Sequence, residues 1–180
     1  MILKRASFFT ACLLFVTQLT SFAQEKHYYQ TDFSIVDFQE RRSQIFEAIG
    51  NNSIALIQGA ASITGFKVFR QTNTFYYLCG LESEHAYLLL NGKTKTSTIY
   101  LPNRDKARES SQGKILSAED ADLIKKLTGV ERVRGYGSLA NDLVGTGLIN
   151  RGAPYLYTPL SPTEIGNDSR DEILHGQARA

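Results

Sequence analysis

Apolar residues recur along this chain with two different periods, and the switches between them delimit its elements. Asp37 followed by Glu40 has the form of a capping box, and Phe38, Ile45, Phe46 and Ile49 then recur at helical spacing until Gly50. This predicts an amphipathic helix with Arg41 and Arg42 off its apolar stripe, solvated or paired with carboxylates. Ile54 to Ile57 is a short apolar run between Asn51-Asn52-Ser53 and the small, Gly-containing stretch 59–65, which suits a strand and then a loop. Phe75 to Cys79, Ala86 to Leu90 and Thr98 to Leu101 predict three further strands. Leu88-Leu89-Leu90 does not alternate, as expected of a central strand covered on both faces. Asn91-Gly92 signals a hairpin, which Lys93 to Ser97 lengthen.

Beyond Pro102 the chain turns polar through "NRDKARESSQGK". Ser117 then caps a helix carrying Ala121, Ile124 and Leu127, with Lys125 and Lys126 near its negative end and Gly129 as terminator. Val130 to Val133 predicts a brief strand, Ser138 caps a helix with Leu139, Leu143 and Val144 inward, and "PYLYT" at 154–158 predicts one more strand. Helices interleaved with strands after an antiparallel set imply an α/β fold, a mixed sheet flanked by helices.

The first 23 residues read as a leader rather than as part of that fold. Lys4 and Arg5 precede an apolar stretch at 6–16, and Ser21-Phe22-Ala23 supplies small residues for cleavage ahead of Gln24. The apolar stretch falls short of the ~20 residues that span a bilayer. The expectation is an exported, periplasmic or extracellular protein, with an uncleaved N-terminal anchor as the alternative. Residues 24–180 then form one domain. Losing Lys4 and Arg5 takes the formal charge from +2 to zero, which leaves no electrostatic case for nucleic acid or an anionic membrane as partner. Cys12 leaves with the leader, so Cys79 has no intramolecular partner and reads as a small buried hydrophobe.

Local motifs supply no catalytic seat. "GYGSLA" at 135–140 has the form G-x-G-x-x-A, but "APYLYT" at 153–158 lacks the acid that a dinucleotide site places ~20 residues on. A tight turn is the better reading. His27, His85 and His175 are far apart, no H-E-x-x-H or G-x-S-x-G occurs, and Asp37, Glu119 and Asp120 are explained by helix starts, so no metal or catalytic residue is assigned. "NNS" at 51 and "NDS" at 167 are glycosylation sequons.

Taken together, "DFQERRSQIFEAI", "SIALIQG", "VFRQTNTFYYLCGLESEHAYLLL" and "IYLPNRDKARESSQG" resemble, in order and spacing, the N-terminal domain of Xaa-Pro aminopeptidases, relatives of creatinase and prolidase. Phe69, Arg70, Gln71, Phe75, Tyr77, Leu78 and Gly80 carry the signature, and residues 33–116 carry the resemblance most clearly. It implies a mixed, ribonuclease-H-like sheet. It also implies chemistry in a following peptidase domain, where a dinuclear manganese centre held by Asp, His and Glu activates water. None of those ligands has a counterpart here. One departure is that many relatives carry a Trp near "ESSQG", against the substrate channel, where this chain has Ser110 and Ser111 and contains no Trp.

The resemblance therefore implies the noncatalytic N-terminal domain, a fragment, of an exported Xaa-Pro metallo-aminopeptidase, with the C-terminal metallopeptidase domain as its partner. Xaa-Pro peptides would be bound only by the complete enzyme, and homo-oligomerisation is left open. The alternative is a standalone α/β interaction or oligomerisation module. Arg70 and Gln71 are expected either to fix the entrance of the aromatic segment by hydrogen bonds or to lie, with Tyr76 and Tyr77, at an edge facing the substrate channel or another subunit.

Overall fold

The computed structural model describes residues 29–62, 69–145 and 155–159. The leader and its cleavage site, His27, His175 and the sequon at Asn167 lie outside them.

Helix α1 spans Ile35–Ile49 and begins ahead of the position expected from sequence. Its cap is Ser34, whose Oγ accepts from the Asp37 amide at 3.3 Å while the Asp37 carboxylate accepts from the Ser34 amide at 2.7 Å. Asp37 is thus the second member of the capping box. Phe38 and Phe46 are buried, with Ile45 and Ile49 partly so. Arg42 corrects the sequence reading: it lies 2% exposed, not solvated. Its guanidinium donates to the Leu78 carbonyl at 2.8 Å and to the Gly129 carbonyl at 2.7 Å.

Among the described residues the sheet has five strands, in the order β4-β3-β2-β1-β5. Strands β1 (Ser53–Gln58), β2 (Tyr87–Asn91) and β3 (Thr96–Leu101) form an antiparallel meander. Strands β4 (Arg132–Gly135) and β5 (Tyr155–Tyr157) join β3 and β1 in parallel, so the sheet is mixed. As its unbroken leucines predicted, β2 is central, with Leu88 and Leu90 on one face and Leu89 on the other. Gly92 closes the lengthened hairpin for a steric reason as well as a turn preference. A Cβ there would stand 2.0 Å from the Gly50 carbonyl oxygen, while the Gly92 amide donates to the Ser53 carbonyl at 2.9 Å.

One aromatic segment departs from its predicted form. Residues Asn73–Cys79 are not a strand but a helix, α2. Phe75, Leu78 and Cys79 share an i, i+3, i+4 face and are fully buried, and Gly80 ends the helix in the left-handed region at φ 65°. Aromatic residues favour strands only weakly, and packing against the sheet overrides that preference here. A further helix, α3 (Lys106–Gln112), occupies the polar stretch after Pro102, to which the sequence reading assigned no element.

Ser117 and Asp120 form the capping box of a 3-10 turn at Ala118–Asp120, which leads into α4 (Ala121–Thr128) and its left-handed terminator Gly129. In the glycine motif Gly135 ends β4, and Tyr136–Ser138 form a 3-10 turn that feeds α5 (Leu139–Gly145). Helices α1, α2 and α4 cover the sheet face of Ala55, Ile57, Leu88, Leu90, Ile99 and Leu101, forming the main core. On the opposite face, Leu139 and Leu143 of α5 pack with Ile54, Leu89 and Tyr100. A bond from the Tyr100 hydroxyl to the Asp142 carboxylate at 2.7 Å fastens α5 to the sheet.

Candidate functional site

The four residues singled out by the signature segment do not converge. Gln71 is buried and acts as a clamp. Its Oε1 accepts from the Ala60 amide at 2.6 Å and the Thr72 amide at 2.9 Å, and its Nε2 donates to the Ser83 carbonyl at 2.8 Å. It therefore ties the chain leaving β1 to both ends of α2 and to the loop before β2. Arg70 beside it is exposed. Tyr76, on the outer side of α2, lines a cavity of about 470 Å³ with Tyr29, Asp32 and Glu82. Partial burial, then the nearby Glu82 and Asp32 carboxylates, push its hydroxyl pKa up. Tyr77 is exposed and faces away. The Arg41 guanidinium lies between its ring and that of Phe33, 4.4 and 4.3 Å from the centroids, and donates to the Tyr77 carbonyl at 2.9 Å.

A larger cleft of about 850 Å³ opens at the carboxyl ends of β3 and β4, bounded by the loop before β2, by Asn103 and α3, and by Tyr136. Crevices outside the carboxyl ends of strands are where α/β sheets commonly receive ligands. Phe69, which leads into the signature segment, also lines it. Its wall is built from ion pairs: Arg104 with Asp120 at 2.7 Å, Lys114 with Asp120 at 2.8 Å and Glu109 at 3.4 Å, and Arg108 with Glu84 at 2.6 Å.

Asp120 is the anchor of this wall. Burial pushes its carboxyl pKa up, but hydrogen bonds from Lys114, Ser117 and Arg104 prevail and bring it down to about 2. The Glu84 carboxylate also takes the Ser62 hydroxyl. His85 sits at φ 53° and its Nε2 accepts from the Ser62 amide at 3.2 Å. The ring and carboxylate together pin the start of the loop after β1.

Arg104, Arg108, Lys114, Glu84 and His85 were not candidates from sequence. The available signal was Asp105, whose carboxylate caps α3 at the Ala107 and Arg108 amides, together with Arg108 and Gln112 at i, i+4 spacing. Ser110 and Ser111 are exposed on that helix and bond back to the Lys106 and Arg108 carbonyls. Cys79 is buried, and burial pushes its thiol up to about 12. Among the described residues, no three His, Cys, Asp or Glu side chains converge as a metal-ligand set, and no helix is long and apolar enough to cross a membrane.

Comparison with known proteins gives consistent results. A family model described as "Aminopeptidase P, N-terminal domain" matches residues 38–147. The "Probable Xaa-Pro aminopeptidase" of Aspergillus flavus is 31% identical over 102 residues, which is 53% of this chain and 20% of that protein. A namesake in Aspergillus fumigatus is 35% identical over 75 residues, 42% of this chain and 15% of that protein. The chain thus spans about a fifth or less of the length of these relatives. Among solved structures, E. coli aminopeptidase P with the inhibitor Pro-Leu superposes with a TM-score of 0.62 at 24% identity, covering 83% of this chain and 33% of that one. The zinc-substituted E. coli enzyme in complex with product gives 0.61 at 22%, covering 83% and 34%. At these identities the superpositions speak for the fold.

Proposed function

Because this chain belongs to the aminopeptidase P N-terminal domain family, we propose that it is the noncatalytic amino-terminal part of an Xaa-Pro aminopeptidase that removes the residue preceding proline. The family match over residues 38–147 is the observation that carries this reading. The mixed sheet and the superposition on E. coli aminopeptidase P support it. In this proposal the hydrolytic chemistry belongs to a partner peptidase domain, where a manganese pair would supply a metal-bound hydroxide near neutral pH. The described residues offer no ligand set that fits such a centre, so no catalytic step is assigned to this chain.

Export, from the leader at 1–23, is part of the same proposal. So is a role for the exposed Arg70 and Tyr77, and for Tyr76, at a face toward the peptidase domain or a second subunit. Reconstitution tests the reading. The purified chain should not cleave an Xaa-Pro peptide, with or without manganese, and adding a separately expressed aminopeptidase P catalytic domain should produce manganese-dependent turnover. Turnover by the chain alone, surviving chromatography and abolished by a chelator, would overturn it. Failure of every such pairing, with the chain folded, would favour a standalone module.

A further inference from the structure

Asn91-Gly92 is the only Asn-Gly pair in the chain, and its covalent chemistry depends on backbone freedom. In a flexible chain the Gly92 amide nitrogen gives up its proton to base and attacks the Asn91 side-chain carbonyl carbon, so that a C–N bond forms and ammonia leaves. A cyclic imide results. Water then opens the ring at either carbonyl, giving aspartate, or isoaspartate in which the main chain runs through the side-chain carbon. Neither step needs an oxidant, a metal or a cofactor. Glycine favours the attack because it has no Cβ to hinder it and turns easily into the ring geometry.

The hairpin blocks each of these requirements. The nucleophile is engaged, since the buried Gly92 donates its N–H to the Ser53 carbonyl at 2.9 Å. The electrophile is engaged as well. Asn91 Oδ1 accepts from the Lys93 amide at 3.0 Å and the Thr94 amide at 3.2 Å, which fixes the side-chain carbonyl over the loop. Asn91 also ends β2 between Ile54 and Thr96, so closing the ring would rotate it out of both pairings. We propose that Asn91 is a deamidation site that the native hairpin keeps shut, so that its conversion marks chains in which the turn has opened. Isoaspartate makes the mark a lasting one. It adds a backbone carbon at position 91, and Gly92, wedged under the Gly50 carbonyl without room for a Cβ, has no slack to absorb it. The inference rests on the hairpin alone and stands apart from the peptidase reading.

Incubating the purified chain in mildly alkaline buffer, either folded or in guanidinium chloride, tests this. The peptide containing Asn91 is followed by mass spectrometry, and isoaspartyl methyltransferase labelling identifies the branched product. In denaturant Asn91 should convert faster than every other asparagine. In the folded chain it should convert at least about a hundredfold more slowly, because the reaction waits on local opening. Asn91→Gln should remove the fast phase seen in denaturant. On return to native buffer, isoaspartate-bearing chains should be depleted from the folded fraction on size exclusion. A folded-state rate within about threefold of the denatured rate would mean that the turn gives no protection and would overturn the proposal. So would a denatured chain that deamidates first elsewhere, or equal recovery of modified and unmodified chains in the folded fraction.

Discussion

Replacing Arg42 by Met should destabilise the protein by about 2–4 kcal/mol, and the figure follows from what the guanidinium holds. Arg42 reaches from α1 to the Leu78 carbonyl near the end of α2 and to the Gly129 carbonyl just beyond α4. Both helices end in a left-handed glycine, and the cation thus sits at the negative ends of two helices. Burial pushes its pKa down, with Glu131 opposing at longer range, so the site carries a real desolvation cost. Each carbonyl stranded in the core costs about 1–3 kcal/mol. Relief from burying the charge, and the packing of a flexible Met stem, return part of the sum. At roughly 3–4 °C per kcal/mol for a domain of this size, melting followed by circular dichroism should fall by about 10 °C. Arg42→Lys keeps the charge but loses the planar fork, and should fall between Met and the parent. Arg41→Met, one position along on the exposed side, should cost less than about 1 kcal/mol. Melting of Arg42→Met within about 2 °C of the parent would refute the account.

Asp120, held at about 2 against an ordinary 3.8, contributes stability that is present above pH 3.8 and lost as the pH falls toward 2. Asp120→Asn should therefore lose on the order of 2 kcal/mol at neutral pH and show a flatter acid limb; superimposable pH profiles would contradict the assigned network. Gly92→Ala forces a methyl to 2.0 Å from the Gly50 carbonyl oxygen, so denaturant melting should show a loss of about 1–3 kcal/mol, and a neutral result would mean that the α1–β1 turn yields. Cys79, its thiol pushed to about 12 by burial, should react with a thiol reagent in the chain cleaved after Ala23 only once denaturant is added. Rapid stoichiometric labelling of the folded chain would show that α2 opens.

Sheet elements were legible in the sequence wherever burial imposed a period. The leucine run of β2 announced a strand covered on both faces, and Ser117, Lys125 and Gly129 marked the second long helix. Where side-chain chemistry ran against position, the reading failed. "FYYLC" is rich in strand-favouring aromatics, yet its buried set, Phe75, Leu78 and Cys79, has helical spacing. Arg42 was expected to be solvated or paired with carboxylates because charge is usually outside, and only two helix ends distant in sequence explain why it is buried on carbonyls instead. Helix α3 buries no residue and so gave no apolar stripe; its cap at Asp105 and its ion pairs hold it. The cleft wall was illegible for a related reason, since its pairs join Glu84 to Arg108 and Arg104 to Asp120, and local spacing does not encode such partners.

The order in which the strands sit also has a consequence for how the chain folds. β2 and β3 are joined by the short connection 92–95 and can pair early, whereas β1 reaches β2 across residues 59–86, which include α2. β5 must instead return roughly a hundred residues later to lie beside Ser53, Ile54 and Ala55. Until it arrives, the apolar "SIALIQ" of β1 presents an open hydrogen-bonding edge, the geometry through which partly folded chains pair with one another. The family match ends at residue 147, short of β5. A fragment cut at that boundary would keep the signature segment and the cleft but would carry β1 as a permanent edge. Its weakness would be self-association rather than loss of the core.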